Sequence, residues 1–281
     1  MTRTTAKRAC VIGWPIEHSR SPLIHGYWLK RYMIEGSYTK EAVKPEDVTA
    51  FLSTLAERGF TGCNVTVPHK EAAFGAADVK EDSAVAVGAA NTLWLEEGKL
   101  HCANTDTYGF MTHLDLSAPG WKAQDAPVLI LGAGGAARAI VYGFLKAGVA
   151  RIIIANRSRH RADQLADHFG DKVCAIDWDK RNDVVCDVGV IVNTTTLGMK
   201  GLGDPCIDFS RCRAGAVAAD IVYVPLETDF LRSARAKGLI GVDGLGMLLH
   251  QAAPGFEKWF GVHPQVTQDL RDLIVADIEG A

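Results

Sequence analysis

Apolar and polar positions follow two rhythms along this chain. Short apolar runs at 9–13, 128–131, 151–155, 188–192 and 216–222 predict strands. Positions 62–67 alternate apolar with polar and stop at Pro68, which also predicts a strand. Another strand is expected at 91–95, then a hairpin turn at 96–99 and a return strand at 100–103. Helical spacing marks 48–58, where Val48, Phe51, Leu52, Leu55 and Ala56 recur on one face. Ser21-Pro22 opens a helix, with serine as cap and proline in the first turn. Further helices are predicted at 106–117, 136–147, 161–169, 245–260 and 265–278. From Pro127 onward strands and helices alternate, which implies a parallel sheet with right-handed crossovers.

Length turns this pattern into domains. A chain of 281 residues suggests two, each able to bury its own core. The hydrophobic share of 48% and charged share of 22% are ordinary for a soluble globular protein. Net charge is −3 with dispersed basic residues, so neither nucleic acid nor an anionic membrane is called for as partner. The polar N-terminus is not that of a signal peptide, and no apolar run reaches membrane-spanning length. The seven cysteines form no Cys-x-x-Cys pair and are expected to be buried or half-buried thiols in a reducing cytoplasm.

The sharpest local signal lies in the middle. Gly132, Ala133, Gly134, Gly135, Ala136 and Ala137 follow a predicted strand, open a predicted helix and fit G-x-G-x-x-A. Gly132 permits a tight turn, Gly134 lets backbone N–H groups approach a pyrophosphate, and Ala137 keeps helix and strand close. The next strand ends at Asn156, followed by Arg157, Ser158, Arg159, His160 and Arg161. An NAD-preferring fold usually places an acid here for the ribose hydroxyl. Guanidinium groups suit a 2′-phosphate, so NADP is the expected cofactor. Two apparent signals carry little weight. Tyr142-x-x-x-Lys146 has dehydrogenase spacing but lies on the helix after the glycine loop, and the histidines lack zincin spacing, so no metal is expected.

The first half holds hydroxyls, amides, one lysine and one aspartate near predicted strand ends: Ser19, Ser21, Thr66, Lys70, Asn91 and Asp106. Such a set suits a small polyhydroxylated, carboxylated substrate. Singly, each has an ordinary reading: Ser21, Asn91 and Asp106 as cap or turn residues, Lys70 as a surface charge.

Together these segments resemble the shikimate dehydrogenase family over nearly the whole chain. The resemblance is carried by Ser19-Arg20-Ser21-Pro22, by Asn64-Val65-Thr66-Val67-Pro68-His69-Lys70, by Gly88 to Thr92, and by Asn104-Thr105-Asp106. It continues through the glycine loop, Asn156-Arg157-Ser158, Asp220 to Pro225, and Gly244 to Ala252. Ser158 stands where the family has threonine, and Asp229 after Thr228 where it usually has proline.

The resemblance implies reversible NADPH-dependent reduction of 3-dehydroshikimate to shikimate, in aromatic amino acid (chorismate) biosynthesis. Lys70 would be the proton donor and acceptor, with Asp106 hydrogen-bonding both the substrate hydroxyl and Lys70. Ser19, Ser21, Thr66, Asn91, Tyr223 and Gln251 would join these two in binding substrate. Gly132, Ala133, Gly134, Gly135 and Ala136 would hold pyrophosphate; Asn156, Arg157, Ser158 and Arg161 the adenosine 2′-phosphate; Ile221, Gly244 and Asp82 would also lie near the cofactor. The expected fold is α/β, with two α/β domains and a cleft between them. A substrate domain would span 1–105 plus 244–281, and a Rossmann-like NADP domain 106–243. A cytoplasmic monomer or homodimer is expected. Two alternatives are a quinate/shikimate dehydrogenase and a non-catalytic homologue that senses NADP or a metabolite.

Overall fold

The computed structural model describes residues 6–280. The polar N-terminal stretch read above lies mostly outside them. The chain divides into two compact units: Met1–Thr105 with Gln251–Ala281, and Asp106–His250. The first is therefore assembled from two separate stretches and the second from one. The division falls inside a helix, at 250/251, whereas the sequence reading placed it at 244.

In the first unit the elements run β1 (Lys7–Gly13), α1 (Ser21–Arg31), β2 (Gly36–Ala42), α2 (Val48–Ser53), β3 (Gly62–Val65), α3 (Lys70–Ala76), β4 (Val79–Lys80), α4 (Asp82–Val87), β5 (Thr92–Glu96) and β6 (Lys99–Ala103). The six strands form one sheet in the order β2-β1-β3-β5-β6-β4. β1 runs parallel to β2 and β3, while β5 is antiparallel to both β3 and β6. The β5–β6 hairpin is as predicted, and Glu97 and Gly98 both take the left-handed backbone its tight turn requires. Cys10, Ile12, Cys63, Val65, Leu93, Leu100 and Cys102 build the core against Phe51, Leu52 and Leu55.

Three differences from the sequence pattern have local causes. Ser21 is the first residue of α1 rather than its cap; Arg20 caps, and the Ser19 hydroxyl accepts the Ser21 N–H at 3.4 Å. α2 ends at Ser53, because the Ser53 and Thr54 hydroxyls donate back to the Ala50 carbonyl. β3 stops at Val65, before the predicted Val67.

The second unit runs α5 (Asp106–Ser117), β7 (Val128–Leu131), α6 (Gly135–Lys146), β8 (Ile152–Asn156), α7 (Arg159–Phe169), β9 (Val173–Asp177), β10 (Val190–Asn193), β11 (Val217–Asp220), α8 (Asp229–Ala236) and β12 (Ile240–Val242). Its sheet is wholly parallel, ordered β12-β11-β10-β7-β8-β9. Both faces are buried, which is why these strands read as unbroken apolar runs. Val128, Ile130, Ile152 and Ile154 face Phe110, Leu114, Ile140 and Phe144. Leu129, Leu131, Ile153 and Ala155 face Phe230, Leu231 and Ala234 on the other side.

α9 (Gly244–Phe260) runs out of the second unit and into the first. α10 (Gln268–Glu279) follows it and packs on α1. There Arg20 pairs with Asp277 at 2.8 Å, and Trp28 donates its indole N–H to the Gln265 carbonyl at 3.0 Å. Cys10, Cys63 and Cys102 are buried and Cys174 and Cys212 half-buried, but Cys186 and Cys206 are exposed, contrary to the expectation for all seven.

Candidate functional sites

One end of the first sheet gathers most of the first unit's predicted polar residues. β1 and β3 are parallel, with Ile12 opposite Val65, so the loops carrying Ser19, Ser21 and Thr66 leave the sheet at the same end. β5 is antiparallel to β3 and pairs Thr92 with Asn64, so Asn91 enters at that end too. β6 returns there, with Ala103 opposite Thr92, bringing in Asn104 and Thr105. Lys70 opens α3 and is half-buried. Its carbonyl accepts the Ala90 N–H at 2.9 Å, which ties it to the residue before Asn91. The neighbouring His69 is buried and bonds the Val43 carbonyl through Nε2 at 2.7 Å, fixing the turn that precedes Lys70. Gln251 reaches the same place from α9: its Oε1 accepts from Asn91 Nδ2 at 3.4 Å.

Beneath these residues lies a buried polar network that the sequence reading assigned no role. Tyr38 donates its hydroxyl to Asn64 Oδ1 at 2.6 Å. Asn64 Nδ2 donates to the Asn91 carbonyl and to Thr92 Oγ1. Thr92 and Thr105 then close on Asn91 Oδ1. A buried Asn, two Thr and a Tyr were the available signal, but nothing in sequence spacing joins Tyr38 to Asn64. His25, one turn beyond Ser21, stacks on Tyr38 with ring centroids 4.0 Å apart. It is fully buried, and neither ring nitrogen closes a hydrogen bond. Burial lowers its pKa to about 3, opposed weakly by the Asn64 amide.

In the second unit strand order reverses between β7 and β10, where a doubly wound sheet offers a crevice beyond its carboxyl ends. The glycine loop follows β7 at that point. Gly132 has φ +112°, and a β-carbon there would lie 2.6 Å from Thr194 Oγ1 on the loop after β10, so both conformation and space require glycine. Gly134 and Gly135 face open space at the start of α6, leaving backbone N–H groups uncovered at a helix N-terminus. One strand over, Asn156 ends β8, its amide held by the Ser158 carbonyl at 2.8 Å. Arg157 and Arg161 are exposed. Arg159 differs: its guanidinium is committed to Asp163 at 2.8 Å and Asp177 at 3.2 Å. Uncovered N–H donors beside exposed guanidinium groups fit a pyrophosphate with a further phosphate next to it.

The loop after β11 carries Ile221 and Tyr223. Asp220 anchors it, accepting from Thr228 Oγ1 at 2.7 Å, Asn193 Nδ2 at 2.9 Å and the Val222 N–H at 3.0 Å. Burial raises the Asp220 pKa to about 6 against those three donors. Thr228 also caps α8 through the Leu231 N–H, and Asp229, where the family usually has proline, sits favourably in that helix's first turn. A β-carbon on Gly244 would collide with the Ile221 carbonyl, so these two predicted positions are neighbours. Asp106 opens α5 in the second unit, directly after Thr105, and Asp82 is exposed at the start of α4 in the first. No helix among the described residues is long and apolar enough to cross a membrane.

Comparison with known proteins covers nearly the whole chain. Residues 11–93 match the family profile described as the shikimate dehydrogenase substrate binding domain. Residues 113–199 match shikimate / quinate 5-dehydrogenase, and 244–270 the shikimate 5′-dehydrogenase C-terminal domain. A relative named shikimate dehydrogenase (NADP(+)) from Brucella canis is 56% identical over 278 residues, covering 98% of this chain and 96% of that one. One of the same name from Azorhizobium caulinodans is 54% identical, covering 97% of each. Among solved structures, shikimate 5-dehydrogenase from Thermus thermophilus in complex with NADP(H) and shikimate has a TM-score of 0.81 at 34% identity, covering 98% of this chain and 99% of that one. Quinate dehydrogenase from Corynebacterium glutamicum in complex with NAD has a TM-score of 0.88 at 28% identity, covering 96% and 99%.

Proposed function

The chain belongs to the shikimate dehydrogenase family, and on that premise we propose how its own residues carry the family's reaction. It is an NADP-dependent oxidoreductase of a CH–OH group, interconverting 3-dehydroshikimate and shikimate. The observation that supports this most is identity of 54–56% with shikimate dehydrogenases (NADP(+)) over nearly the full length of both chains.

NADPH, when bound, supplies the hydride that reduces the substrate carbonyl. Negative charge then builds on the carbonyl oxygen, and Lys70 stabilises that charge and delivers the proton. In the reverse direction Lys70 takes the proton from the hydroxyl. Asp106 accepts hydrogen bonds from the substrate hydroxyl and from Lys70, holding both in register. Ser19, Ser21, Thr66, Asn91, Tyr223 and Gln251 bind the remaining hydroxyls and the carboxylate. The α6 N-terminus, with Gly132, Ala133, Gly134, Gly135 and Ala136, holds the pyrophosphate. Asn156, Arg157, Ser158 and Arg161 hold the 2′-phosphate, while Ile221, Gly244 and Asp82 lie near the rest of the cofactor. Substrate binding is assigned to residues 1–105 with the C-terminal stretch and cofactor binding to the stretch between them, which as a compact unit ends at His250 rather than at 243. The protein works in the cytoplasm as a monomer or homodimer, without nucleic acid.

Steady-state rates with shikimate and quinate, each with NADP and NAD, test this reading. The highest kcat/KM belongs to shikimate with NADP. A higher value for quinate with NAD overturns it, and binding of both ligands without turnover would indicate a sensor instead.

A further inference from the structure

The hydrogen bonds beneath the Asn91 carboxamide run one way, and backbone groups fix the direction. The Thr105 N–H can only donate, and it donates to Asn91 Oδ1 at 2.8 Å. The Thr105 and Thr92 hydroxyls reach the same oxygen at 3.1 and 3.2 Å. An NH2 group in that place would face the Thr105 N–H head-on, so the oxygen end of Asn91 must point there. Its NH2 end is thereby turned to Gln251 Oε1. A second amide is locked by the same logic. The Asn91 carbonyl can only accept, and it takes Asn64 Nδ2 at 3.1 Å. That leaves Asn64 Oδ1 for the Tyr38 hydroxyl at 2.6 Å. Asn64 Nδ2 also donates to Thr92 Oγ1 at 3.2 Å, which directs the Thr92 proton onward to Asn91 or Thr105. Tyr38, Asn64, Asn91, Thr92 and Thr105 are all buried, so water does not compete for these bonds.

We propose that Thr105, supported by Thr92, is a positioning residue that locks Asn91 with its NH2 end toward Gln251. The substrate group met by Asn91 must then bring a lone pair: a hydroxyl, carbonyl or carboxylate oxygen. A donor-only group such as an ammonium is rejected at that position. This rests on the reading of Asn91 and Gln251 as substrate-binding residues.

The test uses the full chain, with shikimate binding measured calorimetrically without cofactor beside steady-state reduction of 3-dehydroshikimate by NADPH. Thr105→Val removes the hydroxyl and keeps the backbone N–H. The N–H still sets the direction of Asn91, but its amide oxygen is held by one bond fewer, so the shikimate Kd and the substrate KM rise by about 5- to 10-fold, with kcat within about twofold. Thr105→Ser brings Kd back to within about twofold of the wild-type value. Asn91→Asp exchanges the donor for an acceptor in the same volume, so it binds shikimate about tenfold more weakly than the wild type does. A role in shape alone leaves Asn91→Asp near the wild-type Kd, since aspartate fills the same space. Asn91→Asp with a wild-type Kd overturns the proposal. So does Thr105→Val with an unchanged Kd, or with its loss in kcat instead of KM. Where Thr105→Val fails to fold, Asn91→Asp decides. Binding is read without turnover, so a wild-type chain that binds shikimate but does not reduce 3-dehydroshikimate refutes the proposed reaction and still permits this comparison.

Discussion

His25→Phe is the substitution whose effect follows most directly from the packing. The wild-type imidazole is enclosed by aromatic rings: Tyr38 at 4.0 Å, Trp259 at 5.5 Å, Trp28 at 5.6 Å and Phe256 at 5.9 Å between centroids. It is carried uncharged, with its pKa lowered by burial from an ordinary 6.5 to about 3. Between those two values the unfolded chain binds a proton that the folded chain refuses. Stability is therefore held above about pH 6.5 and lost as the solution is acidified. At about 1.4 kcal/mol per unit of pKa difference, the loss attributable to His25 between pH 7 and pH 5 is about 2 kcal/mol. Phenylalanine fills the same slot among the rings and cannot titrate. Urea unfolding followed by tryptophan fluorescence is a suitable assay, because Trp28 and Trp259 border the site. The wild type should lose about 2 kcal/mol more than His25→Phe between pH 7 and pH 5. Parallel pH dependence in the two proteins would refute the reasoning, since it would mean that the buried ring takes up its proton without cost.

Three further outcomes are expected. Lys70→Ala lowers kcat by roughly 100- to 10,000-fold and leaves the shikimate Kd within a few-fold, read by turnover beside calorimetry; a near-normal kcat removes Lys70 from proton transfer. The double variant Arg157→Ala/Arg161→Ala raises the KM for NADP by about tenfold or more and leaves that for NAD nearly unchanged, whereas equal losses for both cofactors would mean the arginines do not read the 2′-phosphate. Asp220 is carried with its pKa raised by burial to about 6, so its contribution is greatest below about pH 4 and is lost as pH rises through 6. Relative to Asp220→Asn, the wild type should lose roughly 2 kcal/mol from pH 4 to pH 7 in thermal or urea unfolding, and identical pH profiles would contradict this.

How much was legible in the sequence depended on whether a segment's pattern and its environment agree. α5 at Asp106–Ser117 and β7 at Val128–Leu131 were read to the residue, because each carries an unambiguous pattern between clear breaks. β2 was not read. It is an edge strand with only Tyr38 buried, so its polar sequence carries no strand rhythm. α8 was missed as well, since its short apolar stripe of Phe230, Leu231 and Ala234 is interrupted by charge. At the sites, the sequence could put forward only residues whose proposed role depends on type and motif: the glycines, Lys70, Asp106 and the arginines. Arg159 looked equivalent to its neighbours, and only the fold placed Asp177 on β9 opposite Asn156, within reach of it. The roles of Tyr38, Asn64 and Thr105 stayed hidden for the same reason. Each acts through a partner brought near by strand pairing.

The first unit is built from Met1–Thr105 and Gln251–Ala281, with the whole of the second unit inserted between them. Chain connectivity therefore sets an order of assembly during synthesis. The inserted unit has emerged in full, and can close its parallel sheet, while the first still lacks α10 and the second half of α9. Until that last stretch leaves the ribosome, Trp28 has no Gln265 carbonyl to bond, Arg20 has no Asp277, and Asn91 has no Gln251. The nascent chain thus holds a finished cofactor unit before its substrate unit is complete.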